Sequence, residues 1–530
     1  WFAMSNSWSA GGGSDTLRWI EHGVVAVAAL LAVRKVVKVC RQTELSEVIS
    51  AIPGAKNVLD RTLANEVDSA LVTMFPPTPE GVLDMSSFPE EGLSHEALNR
   101  TLEQLQQFDA SGTDGKSFAY IYDCGDAIPN HNEHVEHAFN MFMHENALNP
   151  TAFPSLRRFE VEVIRMVIDM LNGGNDCVGN MTSGGTESIL CAIKTYRDRA
   201  RKISPHIKQP EMVLPKTAHP AFQKAAHLFD VKPVYVPFDP VTFRADMAAL
   251  EAAITPNTIL LVGSAPQYPH GVVDPIEEIA TLARAHDLPL HVDACIGGFM
   301  LPWVEALGRP VPLWDFRVQG VTSISADIHK YGFCPKGASA LVYANQEIRM
   351  FQFLSYAEWP GGLFVSPSLL GSRNGGAIAA AWYSMCSLGK SGFKKTAQLT
   401  LDAADKMRAG INKIEGLEIM GDPHMTILAF RATDPGKLDV QAVADVMKKK
   451  FGWNLERQQL PSCLHMSVMP PHAKVTDVFL ANLQEAVNEV LDHPELSNQG
   501  TAAMYGLIAK IPSGCIIEEF LTIFMSKVYQ

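Results

Sequence analysis

The chain of 530 residues is 47% hydrophobic and 19% charged, long enough for one large domain with a smaller one and apolar enough to exclude global disorder. A net charge of −13 and the lack of any basic stretch interleaved with aromatics speak against a nucleic-acid partner, which needs a positive face. Nine cysteines, at positions 40, 124, 177, 191, 295, 334, 386, 463 and 515, include no Cys-x-x-Cys pair and no zinc or iron–sulfur spacing, so no metal centre is expected and a reducing compartment is.

The opening "WFAMS", with Met4 a candidate start, is set aside from fold reasoning. Gly23 to Val33, "GVVAVAALLAV", is apolar throughout but shorter than the about 20 residues a membrane span needs. Ile20 before it and "VVKV" after it extend it to residues 20–40, so a membrane anchor and a buried helix both fit. The basic residues Arg34, Lys35, Lys38 and Arg41 follow the run, unlike those of a secretory signal. If the segment spans, everything downstream faces the cytosol.

Residues 46–150 read as helices with breaks, among them "FPPTPEG" as a linker and "DASGTDGKS" as a loop. From about residue 155 the pattern changes. "SLRRFEVEVIRMVIDML" has apolar positions at helical spacing and predicts a long helix. Apolar runs then alternate with helical segments: "EMVLP", "VKPVYVP", "TILLVGSAP" and "LPLHVDACIG". Such alternation predicts an α/β domain built on a mostly parallel sheet covered on both faces. From about 386, "GLEIMGDPHMTILAFRA" and "LHMSVMPP" with flanking helices predict a smaller α+β domain. The expected division is an N-terminal tail (1–45), a helical segment (46–150), a large domain (151–385) and a C-terminal small domain (386–530).

Four stretches carry chemistry. "GNMTSGGTESIL" places Ser183, Gly184, Gly185 and Thr186 just ahead of an apolar helical run. Backbone N–H groups converging at a helix start make an anion cradle, although an ordinary helix cap fits the same residues. It is neither a Walker loop nor a dinucleotide turn. "PLHVDACIGG" ends an apolar strand on Asp293, where ligands gather in a parallel sheet. A carboxylate there needs a cationic partner. "TAHPAFQKAA" sets His219 before a helix, as a cap, a core residue or a ligand-facing ring. "SISADIHKYGFCPKG" places His329 beside Lys330, with Lys336 following. An anion cradle, a flat ring, a carboxylate and a lysine are together what pyridoxal phosphate requires of a protein. Lys330 is then the lysine that carries the cofactor.

From about residue 115 to the end, the chain resembles the pyridoxal-phosphate-dependent group II decarboxylase family. "TSGGTESIL", "APQYPHGVVDP", "LPLHVDACIGGF", "VTSISADIHKYGFCPKG", "GSRNGG" and "AAMYGLIAK" carry the resemblance. Within the family it points to members that cleave sphingoid base 1-phosphates into a fatty aldehyde and phosphoethanolamine. An amino-acid decarboxylase using the same cofactor is the alternative. The resemblance implies the fold type I of pyridoxal-phosphate-dependent transferases, with a large mostly parallel-sheet domain, a smaller C-terminal domain and an N-terminal helical segment. It also implies a homodimer with active sites at the interface and, for eukaryotic members, an N-terminal anchor in the endoplasmic reticulum with the catalytic domain in the cytosol.

Residue by residue, Lys330 matches the Schiff-base lysine, Asp293 the pyridinium partner and His219 the ring that stacks on the cofactor. Ser183, Gly184, Gly185 and Thr186 match the cofactor-phosphate loop, with His329 beside it. Gly371 and Ser372 match a loop reaching the cofactor phosphate from the other subunit. Lys336 matches a lysine near the substrate phosphate, and Tyr122 and Tyr268 match active-site tyrosines, Tyr120 competing with Tyr122. Lys330, Tyr122 and Lys336 are the expected catalytic side chains. Asn146 and Asn149 fall in "ENALNPTAFP", where the family pattern has Asn-x-Leu-His-Pro. Asn146 is kept, but Asn149 replaces a histidine expected near the substrate phosphate, so a charged hydrogen bond there becomes a neutral one.

Overall fold

The computed structural model describes residues 85–508 and 514–529, with scattered positions between 64 and 83. The apolar run at 20–40 lies outside the described residues. The described residues fall into two compact units, one at 110–502 and one made of those before 110 and after 502.

Seven strands make the large sheet of the first unit: β1 (Val178–Thr182), β2 (Glu211–Pro215), β3 (Lys232–Val236), β4 (Thr258–Ser264), β5 (Leu290–Asp293), β6 (Val321–Ala326) and β7 (Ser339–Tyr343), in the order β1-β7-β6-β5-β4-β2-β3. All pairs are parallel except those of β7, which is antiparallel to both β1 and β6. Because β7 reverses twice over, β1 runs the same way as β6. The carboxyl ends of β1, β2, β4, β5 and β6 therefore lie along one edge of the sheet. Central strands are buried residue after residue, as in "TILLVGS" of β4. Helices on both faces explain why these strands read as apolar runs without alternation. The edge strand β3 is only partly buried.

The predicted long helix spans Pro154–Met170. It opens on proline, which suits a first helical position, and buries Leu156, Val163, Ile164 and Val167 on one stripe. A second long helix, Gly375–Ile411, is broken at Gly389, whose φ of 53° is left-handed backbone that glycine adopts without a Cβ penalty. A two-stranded hairpin, β8 (Leu354–Tyr356) with β9 (Phe364–Ser366), precedes it. The smaller sheet, β10 (Leu417–Ile419), β11 (Ile427–Ala432), β12 (Glu456–Gln458) and β13 (Cys463–Ser467), is antiparallel in the order β10-β11-β13-β12. Its core draws on the helices Val440–Phe451 and Thr476–Asp492 through Val443, Met447, Phe479 and Leu483.

In the other unit, the helix His95–Gln106 is capped by Ser94, whose Oγ accepts from Ala97 N at 3.2 Å. Near the end of the helix Gly514–Val528, Lys527 pairs with Asp68. Among the described residues no helix is long and apolar enough to cross a membrane.

Candidate active site

The sheet's parallel grain collects the site. Ser183 and Gly184 follow β1, His219 lies beyond β2, Asp293 ends β5, and Asp327 to Lys330 follow β6, all at the carboxyl edge where α/β sheets bind ligands. Two cavities meet there. One of about 350 Å³ is lined by Ser183, Gly184, Thr186, His219, His329 and Lys330. The other, of about 520 Å³, takes in Asp293, Tyr122, Tyr268, Lys336 and Glu456, and shares His219 and Lys330 with the first.

At the cradle, Gly184 turns the chain from β1 into the helix Gly185–Ile203. A Cβ on Gly185 would lie 2.8 Å from both Asp327 Oδ2 and Cys295 Sγ, so only glycine fits. The turn is held from beneath: Glu187 accepts from Ser183 N at 2.7 Å and from Leu369 N at 3.1 Å. Thr182, Ser188 and Ser339 share a chain of buried hydroxyl contacts at 2.6 and 2.9 Å. What remains is a rigid helix start facing open space, suited to a phosphate.

Lys330 Nζ sits 2.9 Å from Asp327 Oδ2. Burial alone would discharge this amine, but the Asp327 carboxylate outweighs it and holds the ammonium above its ordinary pKa. Burial would likewise protonate Asp327, and the Lys330 ammonium keeps its carboxyl below the usual range. Asp327 Oδ1 is buried with no hydrogen-bond partner among the described residues. Such an orphan is costly in a finished site.

Both imidazoles are neutral. His329 is lowered to about 4 by burial. Its Nδ1 accepts from Ala338 N at 3.2 Å, so its proton is on Nε2, 3.6 Å from Asp327. His219 is also lowered by burial, and its Nδ1 accepts from Ala221 N at 3.1 Å. Its ring is therefore an uncharged plate with N–H at Nε2. Asp293 Oδ1 accepts from Cys295 N at 3.0 Å and from Ser325 Oγ at 3.4 Å. His291, lowered to about 4 by burial, contacts that serine hydroxyl at 3.3 Å. The Asp293 Oδ2 makes no hydrogen bond with the described residues.

A glycine floor that no side chain can enter, an orphaned carboxylate oxygen, a neutral ring, a second carboxylate and one amine are arranged as pyridoxal phosphate requires. The residues fit this cofactor.

The wider cavity is lined by aromatics. Tyr122 is raised above the ordinary phenol value by burial, Lys330 working against it. Its ring meets Tyr331 edge-on at 5.5 Å, and Lys336 Nζ stands 4.5 Å from its centroid. Desolvation, helped by the Lys330 charge, brings Lys336 down to about 8. Tyr268 stacks on His465 at 4.1 Å, and burial raises its phenol too. Tyr120, the competing tyrosine, lines the same cavity as Tyr122, and its hydroxyl donates to Glu456 at 2.8 Å.

Four residues from the sequence lie apart from these cavities within the single chain. Asn146 Oδ1 accepts from Leu148 N and Arg373 N, each at 3.0 Å, and its Nδ2 donates to Ser372 Oγ at 3.2 Å. Gly371 has open space beside it. Asn149 Oδ1 caps a turn, accepting from Thr151 N, Thr151 Oγ1 and Ala152 N at 3.1, 2.7 and 3.2 Å. Two carboxylates carry no role in the sequence motifs: the buried Asp327, visible in "ADIHK", and the half-buried Glu456, which no motif marks.

A family model described as the pyridoxal-dependent decarboxylase conserved domain matches residues 140–433. A sphingosine-1-phosphate lyase of Oryza sativa subsp. japonica is 42% identical over 83% of this chain and 81% of its own length. The solved structure of a sphingosine-1-phosphate lyase from Burkholderia pseudomallei is 37% identical, with a TM-score of 0.73 over 82% of this chain and 98% of its own. A glutamate decarboxylase of Lactobacillus brevis shares the fold with a TM-score of 0.67 at only 19% identity. The cavity chemistry and these likenesses agree, and the chain belongs to the pyridoxal-dependent decarboxylase family, among its sphingosine-1-phosphate lyases.

Proposed function

We propose that the protein cleaves the C2–C3 bond of sphingoid base 1-phosphates, releasing a long-chain fatty aldehyde and phosphoethanolamine in sphingolipid degradation. The observation that carries this is the pairing of a phosphate-sized glycine cradle with Lys330 and Asp293 in adjoining cavities, in a chain similar over most of its length to lyases named for that substrate.

When bound, pyridoxal phosphate supplies the electron sink for the carbon–carbon bond. Lys330 offers the amine that holds the cofactor, and Asp327 keeps that amine's proton within 2.9 Å. Ser183, Gly184, Gly185, Thr186 and His329 receive its phosphate. His219 would offer its uncharged ring to the cofactor's ring, and Asp293 would hold a proton on the ring nitrogen. Lys336 draws in the substrate phosphate, while Tyr122 and Tyr268 wall the cavity against water. Asn146, Asn149, Gly371 and Ser372 serve the site of a partner subunit in a homodimer, which accounts for their position away from Lys330.

The same proposal places residues 20–40 as an anchor in the endoplasmic reticulum membrane, with the catalytic domain facing the cytosol. It keeps the division at 45, 150 and 385. In its support, the seven-stranded sheet falls wholly within 151–385 and the four-stranded sheet within 386–530.

The test uses the full chain loaded with pyridoxal phosphate and given sphinganine 1-phosphate. Long-chain aldehyde and phosphoethanolamine in equal amounts are expected. Carbon dioxide from glutamate or an aromatic amino acid, without aldehyde from the phosphate substrate, would establish an amino-acid decarboxylase instead.

A further inference from the structure

The wider cavity is lined by a carboxyl group that these roles leave unused. Glu456 begins β12, the edge strand of the small sheet, opposite His465 of β13. It lines the same cavity as Lys330, Asp293, Tyr122, Tyr268 and Lys336. Tyr120 donates to its Oε2 at 2.8 Å from a backbone at φ 65°, a left-handed conformation that a bulky aromatic seldom adopts and that costs free energy to hold. The chain is bent at Tyr120 in the conformation that delivers its hydroxyl to Glu456.

Breaking the C2–C3 bond requires a base for the C3 hydroxyl, and most groups lining the cavity are poor ones. His219 Nδ1 is occupied and its Nε2 carries a proton. Tyr122 and Tyr268 are raised by burial, so their phenols stay protonated at neutral pH. Lys336 is a cation below about 8. Lys330 is held as an ammonium by Asp327, 2.9 Å away, and Asp293 serves the cofactor's ring. Glu456 remains, and as a carboxylate it can only accept. Burial raises it above the ordinary carboxyl value, against the Tyr120 hydroxyl and the Arg457 charge, which makes it a better base than an exposed carboxylate. Arg457 is itself tied to Asp445 at 2.7 Å on the neighbouring helix.

We propose that Glu456, positioned by Tyr120, accepts the proton of the substrate's C3 hydroxyl. The inference rests on the lyase reading above. The C3 O–H bond breaks and its proton joins the Glu456 carboxylate. The freed electron pair becomes the second bond of the aldehyde carbonyl, and the C2–C3 pair departs with C2 into the bound cofactor's electron sink. C2 then takes back one proton from the Glu456 acid, restoring the carboxylate, so no oxidant or reductant is consumed.

The experiment compares full-length holoenzymes on sphinganine 1-phosphate across pH. Glu456→Gln should lower kcat on the order of a hundredfold with cofactor content unchanged, and should erase the acid limb of the kcat/KM profile. Tyr120→Phe removes the donor that stabilises the carboxylate and should move that limb to higher pH. Affinity for an analogue lacking the C3 hydroxyl, measured by calorimetry, should agree within about threefold between wild type and Glu456→Gln. A Glu456→Gln kcat within about threefold of wild type overturns the proposal. So does a comparable loss of affinity for the analogue, which would make Glu456 a wall of the cavity only. A wild-type holoenzyme that releases no aldehyde overturns the lyase reading itself, and the inference with it.

Discussion

The two ends of the active site are built differently. At the cofactor end, the key side chains are each fixed by a neighbour: the His219 and His329 rings by backbone N–H groups, Asp293 Oδ1 by Cys295 N, and Lys330 by Asp327. At the mouth, Tyr120 is exposed, Glu456 is half-buried, and Lys336 is exposed as a residue while its ammonium packs over the Tyr122 ring. Their contacts join segments far apart in the chain. The difference teaches that cofactor chemistry demands fixed protonation states, which burial and short contacts supply, whereas substrate admission leaves charges in partial contact with water and able to titrate.

Substitutions can break that contrast, and the largest effects should fall at the cofactor end. Lys330→Ala should abolish turnover to below about a hundredth of wild type together with the visible absorbance of the bound cofactor. Circular dichroism should stay native, because Lys330 follows a strand end. Residual activity above that level would remove Lys330 from its role. Asp293→Ala should retain some cofactor yet lose turnover on the order of a hundredfold or more, since the ring nitrogen loses its charge partner. Near-normal turnover would contradict it.

Effects at the mouth should be smaller and depend on pH. Lys336 is lowered to about 8, so in the free enzyme its charge is present below that pH and lost above it. Wild-type kcat/KM should therefore fall as pH rises through about 8, on the side where the ammonium deprotonates. Lys336→Ala should flatten that alkaline limb while raising KM about tenfold, in line with losing a charged hydrogen bond of about 1.5 kcal/mol. An alkaline limb that persists in the variant would assign it to another group.

The sequence discloses these regions unequally, for physical reasons. The runs at 211–215, 232–236, 258–264 and 290–293 are strands as expected, because strands covered on both faces have to be apolar. β1, "VGNMT", carries glycine and asparagine, so nothing in its hydropathy announces it, while β7, "SALVY", is apolar but carries no sign in the sequence that it runs antiparallel. It is their antiparallel pairing around β7 that turns the cradle to the correct edge. Lys330, His219, Asp293 and the Ser183–Thr186 turn are legible because each chemistry sits in one local motif. Asp327 was in plain view, but its role appears only when Lys330 folds back on it. Glu456 gains meaning only through Tyr120, which lies in a remote segment. Asn149 is the opposite case: a family position whose carbonyl oxygen here is engaged in a turn.

That position yields the smallest effect. Asn149→His should cost on the order of 1 kcal/mol of stability through the lost turn contacts, read by urea unfolding. If the residue reaches a partner subunit's substrate phosphate, the variant should also lower KM several-fold at pH 6 and less at pH 8, as the imidazole loses its proton. An equal KM at both pH values would leave Asn149 with the turn alone.

The amine that carries the cofactor fixes every other role in the site, and borohydride reduction of the full-length holoenzyme followed by peptide mass mapping reads it directly. The pyridoxyl mass should sit on Lys330 alone, at close to one per chain, with the visible absorbance abolished. A label on Lys336, or none on the peptide that contains Lys330, would contradict the assignment of the entire site.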